Sequence, residues 1–187
     1  QTKHTEPETI VEKQHVADVY DAIAPHFSAT RHRPWPRVAE FVKALPLGSV
    51  LLDVGCGNGR YMSGENKTVH IGMDRSIGLL LEAQSGTLAK NETEKKEHYR
   101  RELMLGTGLD LSWRDESVDA VMSIAVVHHY STDNRRLIAL KECARVLRPG
   151  GLMLITVWAW EQEKFKNEPS QDLFVDWFYH DKNEAKT

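Results

Sequence analysis

Cysteine is scarce. Cys56 and Cys143 are the only two and lack CxxC spacing, which excludes a disulfide scaffold and a self-sufficient zinc site and fits a reducing compartment. Long apolar runs are missing as well. None reaches the ~18 residues that cross a bilayer, and the first residues are polar, so a cytosolic or nuclear chain is expected. Nor does one sign of charge dominate. Against 27 acidic residues stand 24 basic ones, a net charge of −3, so any contact with nucleic acid must be a local patch rather than a global attraction. Internal repeats and low-complexity tracts are absent. The 187 residues suffice for one self-standing hydrophobic core.

Short apolar runs recur at 50–54, 69–73, 103–105, 118–124 and 152–157, each the length of a buried strand. Helical spacing lies between and before them. Val16, Val19, Tyr20 and Ile23 form one stripe, and Val38, Phe41, Val42 and Leu45 form another. Pro25 and the Pro34-Trp35-Pro36 run are expected to break the chain into a connecting loop over 24–36. The same reading predicts a helix over 77–88. Another is predicted over 133–147, capped by Thr132 or Asp133 and stopped by Arg148-Pro149-Gly150-Gly151. Alternating strands and helices predict an α/β fold with a doubly wound, mainly parallel sheet. The stretch 90–97 has mixed charge and no apolar face, so it reads as a solvated, mobile connection.

The first strand breaks into Asp53-Val54-Gly55-Cys56-Gly57-Asn58-Gly59. Three alternate glycines let the backbone turn sharply and come close to a ligand. The second strand ends at Asp74, whose carboxylate can accept both hydroxyls of a ribose. A dinucleotide loop would read GxGxxG, but Arg60 stands at its sixth position. Asp53 would repel a phosphate and suit a cationic amino acid or a sulfonium. S-adenosylmethionine carries both positive groups and is favoured over a dinucleotide or an empty tight turn.

With these residues in view, Leu52-Asp53-Val54-Gly55-Cys56-Gly57-Asn58-Gly59 resembles the first motif of the class I methyltransferases. That resemblance implies a Rossmann-like single domain: an N-terminal helical and basic segment over 1–46, a donor-binding core over 47–160 and a tail over 161–187. It places S-adenosylmethionine against Asp53, Gly55, Cys56, Gly57, Gly59, Asp74, Arg75, Thr107, Gly108 and Ser123. Many members carry an acid where Thr107 stands; the threonine hydroxyl retains an acceptor for the adenine amine.

Longer stretches narrow the family. Residues 19–31, Arg33-Pro34-Trp35-Pro36, 123–132 and Trp158-Ala159-Trp160-Glu161-Gln162 are together similar to the tRNA wobble-uridine methyltransferases, which esterify 5-carboxymethyluridine in the anticodon loop. The resemblance implies a heterodimer with a small zinc-binding activator protein. A carboxylate acceptor, with a pKa near ~4, is already ionised at neutral pH, so positioning outweighs proton transfer. Arg31 and Arg33 lie in the most basic stretch before the core, where Arg31, Arg33, Arg37 and Lys43 face Glu40 alone between 26 and 43. Either they border the acceptor pocket, holding a carboxylate or phosphate, or they are merely solvated.

His128 and His129 follow strand four at the ligand-gathering edge of the sheet. The family match favours His128 as the acceptor-facing member, with His129 packing or capping the next helix. Ordinary half-buried histidines are the alternative. Trp35 could stack on an anticodon base or plug the core, and Trp158 could line the pocket. In the usual strand order, strand three with Leu103-Met104-Leu105 is an edge, the expected seat of the activator by strand addition. The superfamily normally ends in a further strand pair. Residues 160–187 are too few and too polar for it, so part of the fold is expected to be absent from this sequence. A small-molecule carboxyl or O-methyltransferase, or a scaffold that binds donor without turnover, remain the other readings.

Overall fold

A computed structural model gives the fold of the protein for residues 9–31, 34–62, 68–93, 101–168, 173–175 and 177. Five strands form one sheet: β1 (Val50–Val54), β2 (Val69–Asp74), β3 (Arg101–Leu105), β4 (Val118–Ile124) and β5 (Leu147–Thr156). Their order is β3-β2-β1-β4-β5, and every pairing is parallel. The doubly wound architecture expected from the alternating pattern is therefore present, with strand three at an edge. Because connections leave β1 in one direction and β4 in the other, the crevice where ligands collect lies beyond the carboxyl ends of these two strands.

The helices are α1 (Ile10–Glu12), running through a π-helical turn (Lys13–Ala17) into α2 (Asp18–Thr30), then α3 (Pro36–Ala44), α4 (Ile77–Thr93) and α5 (Asp133–Val146). Successive residues of a strand point to opposite faces, so Leu51 and Leu52, both wholly buried, feed two cores. On one face Val38 and Val42 of α3 pack with Leu51, Ala120 and Met122; on the other, Cys143 and Val146 of α5 pack with Leu52, Val54 and Val121. Each such Val, Leu or Met side chain contributes roughly 1.5–3 kcal/mol. Pro36 opens α3, where its missing N–H costs nothing. The Thr132 side chain caps α5 by accepting from the Arg135 amide, one of the two caps expected.

Two expectations fail. Residues 24–30 are helix rather than loop, with Pro25 inside α2. A proline has no N–H to give the carbonyl of Asp21. That carbonyl instead lies against α4, where a Cβ on Gly78 would come 3.3 Å from it and 3.1 Å from the Ala24 Cβ. Close packing of two helices thus overrides the local break. Secondly, α4 continues to Thr93, so the first part of the supposed connection is helical. The remainder, 94–97, lies outside the described residues. β5 also starts earlier than its apolar run: Leu147 already pairs with Val118, and regular register resumes from Leu152 after an irregularity.

The chain divides into two compact units, Gln1–Val157 and Trp158–Thr187. Within the second, Trp158 and Trp160 stack on Phe165 at 6.2 and 6.3 Å between ring centres. Among the described residues, no helix is long and apolar enough to cross a membrane.

Candidate functional site

The glycine loop leaves β1 with Gly55, Gly57 and Gly59 all in the left-handed region, at φ 83°, 56° and 70°. That backbone alone disfavours other residues. The room spared at Gly55 is occupied by Val126, whose Cγ2 would lie 2.3 Å from a Cβ there, so the loop after β1 and the loop after β4 interlock. At Gly57 the surroundings are open, with Phe27 at ordinary contact distance. The amides of Gly55 and Cys56 both donate to the Met73 carbonyl, at 2.7 and 3.0 Å, which ties the loop to β2.

Asp74, at the end of β2, completes this tie. Its Oδ2 accepts from the Gly57 amide at 2.8 Å and its Oδ1 from the Ser76 amide at 2.9 Å. Burial raises its carboxyl above the usual range, although these backbone donors and that of Arg75 pull the other way. Arg75 follows on the surface. The Ser76 hydroxyl donates to Asp21 of α2 at 2.5 Å, so the turn after β2 also holds the helix that crosses above it.

Asp53 is buried, 1% exposed, and neither carboxyl oxygen has a hydrogen-bond partner among the described residues. His70 Nε2 lies 3.9 Å away, beyond hydrogen-bonding distance. Burial, then the charge of Asp74, pushes Asp53 up to about 8, while burial and then Arg101 push His70 down to about 3. Both groups are neutral at pH 7 in the free protein. A cation brought nearby would favour the carboxylate, so binding a sulfonium or ammonium ligand is expected to release a proton. Affinity for such a ligand should then rise, by up to about tenfold per pH unit, between roughly pH 6 and 7.5, above which the α-amino group of an amino-acid ligand itself discharges. Calorimetry in buffers of different ionisation enthalpy measures this. Proton uptake, or an affinity independent of pH, would contradict it.

Above the loop lies α2. Tyr20 shares a hydrogen bond of 3.1 Å with His129 Nε2, and its ring meets Phe27 edge-on at 5.6 Å. His128 and His129 sit on the short helical turn after β4, their rings 4.4 Å apart. Burial lowers both, to about 4 for His128, with Arg136 adding to the effect, and to about 3 for His129, with His128 adding to it. Both are therefore neutral at physiological pH. Just before them Ala125 adopts φ 60°, an unusual conformation for a residue with a Cβ, while its amide is held by Thr156 of β5. Arg31, the non-helical residue that follows α2, lies 4.6 Å over the Phe27 ring. Burial lowers its pKa, opposed by nearby Tyr20 and reinforced by Arg60.

The far wall comes from the loop after β3. Thr107 Oγ1 accepts weakly from the Leu109 amide at 3.4 Å, and the Thr107 side chain hydrogen-bonds the Tyr130 phenol, whose pKa burial raises to about 12. A Cβ on Gly108 would lie 2.7 Å from that phenol oxygen. Ser123 is buried on β4 and Cys56 in the loop, where burial raises the thiol far beyond reactivity. Trp35 is 42% exposed and lies beside Arg60, whose guanidinium is 5.3 Å from its ring. Trp158 belongs to the second unit. Arg33 lies outside the described residues.

Three features escaped sequence reading. Tyr20 was visible as one of a helical stripe, and Asp21 only within the stretch 19–31, with no bond assigned to either. Glu12 and Arg135 are both buried and joined twice, Nε to Oε1 and Nη2 to Oε2, each at 2.7 Å. Glu12 Oε1 also accepts from the Ser131 amide and hydroxyl, so α1 is clamped to the segment just after His129. Nothing local in the sequence marks that pair.

A family model described as "Methyltransferase domain" matches residues 52–155. Proteins named tRNA (carboxymethyluridine(34)-5-O)-methyltransferase are similar over most of the chain. The mouse protein, ALKBH8, is 47% identical over 87% of this chain and 22% of its own length; the Arabidopsis thaliana protein is 48% identical over 82% and 35%. The Schizosaccharomyces pombe protein of that name is 41% identical, over 89% of this chain and 68% of its own length. The chain thus spans only a fifth to a third of the first two relatives.

Among solved structures, an Aquifex aeolicus SAM-dependent methyltransferase aligns with TM-score 0.58 and 21% identity over 75% of this chain and 76% of its own. A complex of the Haloferax volcanii Trm112 methyltransferase activator with a methyltransferase-type partner aligns with TM-score 0.58 and 22% identity, over 74% of this chain and 59% of that one. The [4+2]-cyclase SpnF aligns at 0.64 and 21%, over 81% and 61%. Identities this low show a shared fold, and a cyclase among them shows that the fold does not dictate the chemistry.

Proposed function

Because the chain belongs to the methyltransferase-domain family, with the tRNA carboxymethyluridine methyltransferases as its close relatives, we propose that it methylates the carboxylate of 5-carboxymethyluridine at the tRNA wobble position, using S-adenosylmethionine. The observation that carries this reading is the Asp74 carboxylate bonded to the Gly57 amide at the mouth of the crevice, beneath the Tyr20–His129 pair.

The residues fit the donor. Asp74 has lone pairs beyond those used by Gly57 and Ser76, and it stands where a ribose diol would be accepted. The two Asp53 oxygens without partners, buried beside the loop, give a cationic amino-acid end a carboxylate that ionises on its arrival. Gly55, Cys56, Gly57 and Gly59 keep the backbone low there, while Gly108, Ser123, Arg75 and Thr107 border the nucleoside end. Bound donor supplies a methyl group on a positively charged sulfur. The acceptor carboxylate is the nucleophile and needs no base, so the chain's task is to align it with the methyl and exclude water. His128 and His129, neutral because they are buried, can donate a hydrogen bond without protonating the acceptor. Arg31, backed by Phe27, offers a fork for an anionic group.

Incubating the chain with labelled S-adenosylmethionine and tRNA carrying 5-carboxymethyluridine, followed by nucleoside mass spectrometry, tests the proposal. Methyl ester on that nucleoside alone supports it. Label on added small carboxylic acids and none on tRNA points to a small-molecule enzyme, and donor binding without product points to a scaffold.

The activator belongs to the same reading. Met104 and Leu105, 37% and 62% exposed, lie on edge strand β3, whose outer side can accept a further strand. A small zinc-binding partner of the Trm112 type would pair there. Adding it should slow amide exchange across 101–105; unchanged exchange with partner bound would exclude this seat.

A further inference from the structure

Three arginines from separate parts of the chain meet at one cavity of about 420 Å³ beside the glycine loop: Arg31 at the end of α2, Arg60 just past Gly59, and Arg101 at the start of β3. Among the described residues of its lining, Glu82 of α4 is the one that is acidic. The closeness of these charges is felt at Arg31, where Arg60 adds to the effect of burial in lowering the pKa. Arg60 donates to the Tyr61 phenol at 2.6 Å and lies over the rings of Tyr61 and Trp35, at 4.5 and 5.3 Å. No carboxylate is bonded to it among the described residues. Its contacts orient the guanidinium without neutralising it. Ser28 also lines the cavity, its hydroxyl buried and without a hydrogen-bond partner among the described residues.

We propose that this cavity is a phosphate-binding subsite for the backbone of the RNA acceptor strand, with Arg60 and Arg101 as its principal ligands. Planar guanidinium forks suit phosphodiester oxygens, and the exposed Trp35 beside Arg60 gives the adjoining base a face to stack on. Arg31 lines the cavity and lies on the Phe27 ring that also borders Gly57. A strand gripped at the cavity can therefore lay its next nucleotide over the loop. The inference rests on the tRNA reading above and names which residues hold the strand rather than the base.

The test is binding of an anticodon stem-loop to the full chain over a range of salt concentrations. Arg60→Gln and Arg101→Gln should each weaken binding about tenfold, the scale of a lost charged hydrogen bond, and lower the salt slope by about one. Arg60→Lys, which keeps the charge, should retain most of the salt slope, and Arg114→Gln, on an exposed loop outside the cavity, should bind as the unaltered chain does. Donor affinity, measured separately, should not change in Arg101→Gln. If both glutamine variants bind the stem-loop like the unaltered chain, the inference is overturned. If inorganic phosphate binds and is lost in the variants while stem-loop binding is unaffected, the cavity serves a free anion and the RNA assignment falls. Failure of the methylation reading is distinct: it would appear as no nucleoside product from the unaltered chain, even where the stem-loop binds through these arginines.

Discussion

Asp74→Ala should lose S-adenosylmethionine affinity by about a hundredfold or more. The carboxylate is asked to hold a ribose diol and already holds the Gly57 and Ser76 amides. Hydrogen bonds to a charged group are each worth ~1.5–3 kcal/mol, so losing two at the ligand alone predicts at least that factor. Asp74→Asn is informative because the amide keeps one acceptor oxygen and turns an NH₂ toward either a backbone N–H or the ribose. It should also bind poorly while keeping most of its stability. Equilibrium dialysis with labelled donor measures both variants, and binding within threefold of the unaltered chain would remove Asp74 from the site.

The second large effect falls far from the ligand. Arg135→Ala should destabilise the protein by ~3–5 kcal/mol, because the Glu12 carboxylate would stay buried without its partner. Against a typical total of about 5–15 kcal/mol that is a large share. Burial by itself would raise Glu12, but Arg135 and Ser131 outweigh it and hold the carboxyl low. The pair therefore contributes stability above the ordinary carboxylate pKa, and this contribution fades as pH falls through the lowered one. Replacing both residues, as Glu12→Met with Arg135→Met, should cost less than Arg135→Ala alone, because no charge is left stranded. Urea unfolding of the three proteins checks this; a double variant that loses as much as Arg135→Ala, or more, would mean that a stranded Glu12 charge is not what costs the single variant its stability.

What this clamp does for the site explains why it was hidden in the sequence. Glu12 and Arg135 lie 123 positions apart, and neither breaks a local pattern. Periodicity reports which side of a helix is buried, not which charges meet there. The strands, the glycine loop and Asp74 were legible for the opposite reason, since short apolar runs and alternate glycines are local signals with few other uses. Pro25 misled because its local rule is sound and a distant contact, the closeness of Gly78, overrides it. Asp53 shows a subtler gap. Its place beside the loop could be read, but its neutrality depends on burial with His70 and on the charge of Asp74, which only the folded chain brings together. Likewise Arg31 was legible within a basic stretch, whereas Arg60 and Arg101 join it only through the sheet.

The measurement that bears most directly on the central claim is hydrogen exchange of the full chain with and without S-adenosylmethionine. Slower exchange is expected at the amides of 55–59, 74–76 and 107–109, the segments that follow β1, β2 and β3. Donor that binds with those amides unchanged, or that fails to bind at millimolar concentration, would contradict it.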